Sequence, residues 1–153
     1  MAGPRASDES QLEPLAEEQA ALRRVATLVA QGAPAETLFT VVAEQVAEVL
    51  SVPLVSIVRY EQDGTATERA SVSAQGTMFR VGTRWSLEGT NVVALVRDSA
   101  QPARIDDYSG LGGMIAEACR RVGIRSRVGL SIVVAWRLWG AIVVSSLEPD
   151  TLP

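Results

Sequence analysis

Cys119, the Asp106-Asp107 pair and fourteen arginines are the residues of this 153-residue chain whose types could do chemistry. Histidine is absent, so Ser-His-Asp and Cys-His schemes have no base. One Cys without His leaves no ordinary His/Cys metal site, and a lone thiol can neither close an intrachain disulfide nor turn over by disulfide exchange. Cys119 lies in MIAEACRRV (114–122), where Ile115, Ala118 and Val122 share its face at helical spacing. It therefore reads as a buried small hydrophobe rather than a nucleophile. Asp106 and Asp107 are neighbours on a short extended segment, and adjacent strand residues point to opposite faces. They cannot flank one bond or share a proton, and Asp107 reads instead as shaping the turn into YSGLGG (108–113). Catalysis is not expected.

The composition agrees with a non-catalytic globular domain. Hydrophobic residues make up 47% and charged residues 21%, enough for one core of good size. The net charge of -4 argues against nucleic acid, whose phosphates need clustered basic side chains. No apolar stretch approaches the roughly 20 residues that cross a bilayer, so no membrane role is expected. The opening MAGPRASDESQLEPLAEE is acidic and lacks the blocks of a secretory signal, which points to the cytoplasm.

These candidates need elements to position them. Residues 1–13 read as a disordered leader, and Leu15, Leu22, Val25, Ala26 and Val29 then form a helical stripe ending near Gly32. Pro34 opens a second helix with Leu38, Val42, Val46, Val49 and Leu50 on one side. LVSIVRYE (54–61) and TATERASVSA (65–74) form a hairpin around Asp63-Gly64. In the second strand Ala66, Ala70, Val72 and Ala74 share one face, opposite Thr65, Thr67, Arg69, Ser71 and Ser73. A long loop (75–89), a helix capped by Thr90 (90–100), a strand (103–107) and the helix 114–122, ended by a left-handed Gly123, follow. The last hairpin, VGLSIVVAWRLWGAIVVSS (128–146), is apolar on both faces and must be covered on both. It is therefore expected at the centre of the sheet, with the first two helices on one side and the insertion helices on the other. The fold class is α/β (α+β), a three-layer α/β/α domain with a central antiparallel sheet of five to six strands.

The layout, together with GTRWSLEGTNVVALV, QPARIDDYSG and RLWGAIVVSS, resembles a GAF domain, most like those at the front of actinobacterial sensor histidine kinases. The resemblance covers 14–147, and 148–153 then reads as the start of a linker to a missing C-terminal helix. It implies a sensory or regulatory domain of a signalling protein in a two-component system. A kinase or other output domain would follow in the same polypeptide. It also implies a homodimer through the first two helices. The alternative is a degenerate GAF domain that only dimerises or docks partners.

The family's known cofactors find no partners here. Haem lacks its His ligand. The places of the Cys that tethers a bilin and of its neighbouring His align with Met114 and Ile115, so a covalent bilin is disfavoured. The cyclic-nucleotide pattern needs a Lys, and the chain has none. What the resemblance leaves is a small-molecule site on the insertion face of the sheet. Phe79, Trp85, Leu87, Val93 and Ile105 would line it, with Leu111, Ile115, Ile132 and Val134. Backbone N–H groups at the helix starts near Thr90-Asn91 and Gly113-Met114 could meet an anion, and Arg104, Arg125 or Arg127 could add charge-assisted bonds. These apolar residues either enclose a usable cavity or fill the space themselves. At the tip of the last hairpin Ala135-Trp136 stands where the family has a polar residue and Gly. Loss of that Gly is expected to force a different turn and to leave Trp136 as a contact point.

Overall fold

The computed structural model describes residues 6–74, 78–149 and 152. Parts of the expected leader (1–5), of the long loop (75–77) and of the terminal linker (150, 151 and 153) lie outside the described residues. Helix α1 spans Ala6–Ala30 and takes in residues 6–13, which the sequence assigns to a disordered leader. Helix α2 spans Ala35–Leu50 and ends on Ser51 in a left-handed conformation.

The strands are β1 (Leu54–Tyr60), β2 (Ala66–Ser73), β3 (Arg84–Trp85), β4 (Ala103–Ile105), β5 (Ser126–Val134) and β6 (Arg137–Ser146). They form one antiparallel sheet in the order β3-β2-β1-β6-β5-β4. Two short helices, α3 (Val92–Ser99) and α4 (Met114–Arg121), lie in the insertion between the hairpins. The expected three layers are present. Val55, Ile57, Ala70 and Val144 pack with α2 residues on one face, and Leu54, Val58, Ala141 and Val143 pack with the insertion on the other.

Strand β6 has the central place its two-sided apolar pattern demands, between β1 and β5. Gly140 makes that pairing possible, because a Cβ there would come within 2.0 Å of the Val58 carbonyl oxygen. Strand β5 departs from the expectation. Strand β4 pairs only with Arg127–Gly129, so the part of β5 beyond Gly129 has β6 on one side and no strand on the other. Val133 and Val134 are more than half exposed there. The apolar run of β5 predicts a central strand over its whole length, whereas only its first half is flanked on both sides.

A β-bulge corrects the reading of β2. Val58 pairs with Glu68 and Ile57 with Ala70, so Arg69 is the extra residue. The phase of the strand flips at that point. Ala66 joins the insertion-side cluster, while Ala70 and Val72 join the α2 side. Strict alternation would have kept all three together. Strand β3 also emerges from the region read wholly as loop, pairing Trp85 with Ala66.

Two turn details differ as well. The cap of α3 is Asn91 rather than Thr90, its side-chain oxygen accepting from the Ala94 N–H at 2.8 Å. At the tip of the last hairpin Ala135 and Trp136 both take positive φ, 49° and 65°. That is the pattern of a tight two-residue hairpin turn, so the turn survives without Gly and the backbone carries the strain. Gly123 ends α4 with φ 84°, as its position suggests.

Candidate functional site

Pairing with Val58, before the bulge at Arg69, places Glu68 on the insertion face beside Ala66, beneath the segment that carries Phe79 and Trp85. Glu68 is 1% exposed. Its Oε2 accepts the Trp85 indole N–H at 2.8 Å, while its Oε1 has no hydrogen-bond partner. The Ser56 hydroxyl stands near it on β1 but completes no hydrogen bond. Burial pushes the Glu68 carboxyl up to about 7, against the lowering effects of Trp85, Ser56 and Arg127.

Arg127 reaches the same space from β5 and is 3% exposed. Its Nε donates to Ser145 Oγ at 2.9 Å, its Nη1 donates to Cys119 Sγ at 3.5 Å, and its guanidinium lies 5.8 Å from the Phe79 ring centre. Among the described residues no ion pair joins it to Glu68. Between the two lies a cavity of about 10 Å³, walled by Val58, Phe79, Trp85, Val93 and Ile115. That is room for one water and for no organic molecule. Phe79 and Trp85 close it edge to face, with ring centres 5.3 Å apart.

Hydrogen bonds fix the insertion onto this floor. Tyr108 is fully buried and its hydroxyl accepts the Val92 N–H at 2.9 Å, while the Tyr60 hydroxyl donates to the Val93 carbonyl at 2.6 Å. Tyr108 and the Asn91 side chain therefore occupy N–H groups at the start of α3 that were expected to face a ligand. Gly89 and Gly113 bring two loops together backbone to backbone. A Cβ on Gly89 would lie 2.1 Å from the Gly112 carbonyl oxygen, and one on Gly113 would lie 2.3 Å from that of Glu88. Cys119 is buried in this layer and burial raises its thiol pKa, which leaves it a core residue with no thiolate character.

Four of the residues expected to line a pocket do so: Phe79, Trp85, Val93 and Ile115. Leu87, Ile105 and Leu111 belong to the same apolar cluster but do not border the cavity. Ile132 packs on the opposite side, with α2, because β5 turns that side chain away from the insertion. Val134 is 53% exposed on the projecting hairpin. Arg104 is exposed and pairs with Asp106, and Arg125 pairs with Asp107. Asp107 also accepts the Ser109 N–H at 2.9 Å and so shapes the turn. The Arg125 hydrogen bond, then that backbone bond, holds its carboxyl down at about 2. Of the three arginines considered, Arg127 alone lines the cavity.

Glu68 is the residue that sequence reasoning missed. Its signal was present, since strict alternation already puts this acid beside Ala66 on the apolar face of its strand. An acid among small apolar neighbours is the pattern that marks a buried carboxyl.

The GAF domain family model matches residues 34–153. Among curated proteins, none matches this sequence. Solved structures similar to this one include the phycocyanobilin-bound GAF domain of a cyanobacterial phytochrome. It is 18% identical with a TM-score of 0.69, over 88% of this chain and 82% of that one. The chromophore-binding domain of a bacteriophytochrome from R. palustris is 18% identical with a TM-score of 0.68, over 97% of this chain and 56% of that one. The GAF domain of an Acinetobacter phosphoenolpyruvate-protein phosphotransferase is 18% identical with a TM-score of 0.63, over 86% and 78%. At such identities these likenesses speak for the fold alone. The family match over most of the chain and the architecture agree: this chain belongs to the GAF domain family, a family of sensory and regulatory domains.

Proposed function

We propose that the chain is a non-catalytic input module of a cytoplasmic signalling protein, of the sensor histidine kinase kind. In this reading the module works as a homodimer through α1 and α2 and passes a change at the insertion face to an output domain. The observation that carries it is the row Leu15, Leu22 and Val29, three large apolar side chains at seven-residue spacing, all more than half exposed on α1. Ala21 of the same helix is buried and Val25 is half-buried, so α1 has a side packed in the fold and an apolar side left uncovered. Seven-residue spacing is what a second helix needs for side-by-side packing. A change in packing at one face biases the helices of the other, which is all a relay requires.

A second reading, a module that only dimerises or docks partners, draws on the small cavity. At about 10 Å³ it has no room for an organic ligand in this arrangement.

Native mass spectrometry of the protein from its own host tests both. A dimer that becomes monomeric in Leu22→Glu is expected. A monomer at micromolar concentration in the unaltered chain would overturn the reading. A bound organic mass that follows the protein would remove the docking-only alternative.

A further inference from the structure

The Glu68 cavity is matched to something far smaller than an organic effector. We propose that Glu68 is a proton-sensing group: on ionising it takes one water into the cavity opposite Arg127, and on taking up a proton it releases that water. This rests on reading the domain as an input module, and names its input.

The geometry carries the argument. An ionised carboxylate needs donors at both oxygens; the Trp85 N–H serves Oε2, while Oε1 receives none in this geometry and has only the Ser56 hydroxyl beside it as a side-chain donor. The nearest cation, Arg127, is held across the cavity by Ser145 and Cys119 and cannot close on Oε1 without breaking those bonds. A water donating to Oε1 and accepting from the guanidinium satisfies both, and about 10 Å³ is the space one water takes. A protonated Oε1 needs only an acceptor. The Ser56 hydroxyl beside it, which among the described residues also lacks a hydrogen-bond partner, can accept from the protonated form or donate to the ionised one, so the water facing Arg127 is what distinguishes the two states.

The surroundings leave the proton to Glu68. Strand β1 presents the Ser56 hydroxyl and, at its end, Tyr60, whose hydroxyl is committed to Val93. Strand β3 presents the Trp85 indole, β5 the Arg127 guanidinium, α4 the Cys119 thiol, and α3 the apolar Val93. Tyr108 lies beyond, on the Val92 N–H. Burial raises both tyrosines and the thiol, away from neutrality, and moves Glu68 towards it. The chain has no histidine, so apart from the α-amino group nothing ordinary competes in that range.

The test keeps Trp85 as the sole tryptophan, through Trp136→Phe and Trp139→Phe, and follows its emission from about pH 5.5 to about pH 8.5. A red shift titrating as one proton near pH 7 is expected, as water approaches the indole. Adding Glu68→Gln keeps an acceptor for the Trp85 N–H and should abolish the shift, with circular dichroism unchanged. No transition in the parent, or the same transition in the Gln variant, overturns the proposal. Should the variant not fold, the infrared band of a protonated carboxyl in the unaltered protein decides. It must disappear as the emission shifts, and a band constant across the range overturns the proposal. Failure here with the dimer intact would leave the regulatory reading standing. Loss of the dimer with the titration intact would do the reverse.

Discussion

Towards α2 the sheet buries Val55, Ile57, Ala70 and Val144, all apolar, whereas towards the insertion it buries Glu68, Asn91 and Arg127 within a larger apolar cluster. The insertion layer is pinned by directed bonds: Tyr60 to Val93, Tyr108 to Val92, Trp85 to Glu68 and Asn91 to Ala94. The helical layer is held by apolar contact and by exposed pairs such as Arg24–Glu48 at 3.9 Å, which contribute little. Directed bonds in a dry interior fix one arrangement, while apolar contact tolerates sliding. The two faces therefore suit different tasks. One holds a defined polar site, and the other can repack.

Breaking the insertion face should have the largest effect. Arg127→Met removes the bonds to Ser145 and Cys119 and leaves Glu68 without an opposing charge, at a cost of about 3 kcal/mol in urea unfolding above pH 8. A loss below about 1 kcal/mol would mean that this face is no more directed than the other.

The next effect is on pH dependence. The folded Glu68 holds its proton up to about 7, whereas the unfolded one releases it near its ordinary 4.5. In that window the folded state binds more protons at Glu68, so the contribution of this group to stability falls as pH rises from about 4.5 to about 7 and is flat outside that range. The shift corresponds to about 3 kcal/mol over the window. Glu68→Gln should remove this slope and leave the chain more stable at pH 8 than the unaltered one. Chemical denaturation at several pH values checks it, and a slope that survives the substitution would assign the proton elsewhere.

A smaller gain tests the projecting hairpin. Trp136 is 99% exposed and sits with Ala135 in left-handed backbone. Ala135→Asn with Trp136→Gly should raise thermal stability by about 1 kcal/mol, since both residues then suit the turn. No gain would mean that the tip packs against something that offsets the strain. Smallest of all, Leu22→Glu should change the unfolding of the isolated subunit by under about 0.5 kcal/mol, because the side chain is already in water. Its effect belongs to association.

Much of this was legible in advance. The apolar runs of β6 required cover on both faces, Asp63-Gly64 marked a hairpin, and Gly123 marked the end of α4. Phe79, Trp85, Val93 and Ile115 were placed together from the family resemblance, and the structure gathers them. Strict alternation puts Ala70 with Ala66 and turn preference puts Ala135-Trp136 in another turn, because both are local rules, whereas Ile132 came to the insertion face only through the family resemblance. The first was overridden by the bulge in the pairing with β1 and the second by a backbone strained into place, while Ile132 follows the alternation of its own strand from Val128.

What the sequence by itself determined was the inventory and the layers: a chain without histidine, with one thiol, and with strands that water could not be allowed to reach. Periodicity of apolar residues carries that information because burial is summed residue by residue. Only the tertiary structure decided that Glu68 and Arg127 would face each other across a space for one water. That depends on the register that sets Glu68 against Val58 and Arg127 against Ser145 and on the fit of Phe79 and Trp85 above them, and packing at that scale is set by all the neighbours at once.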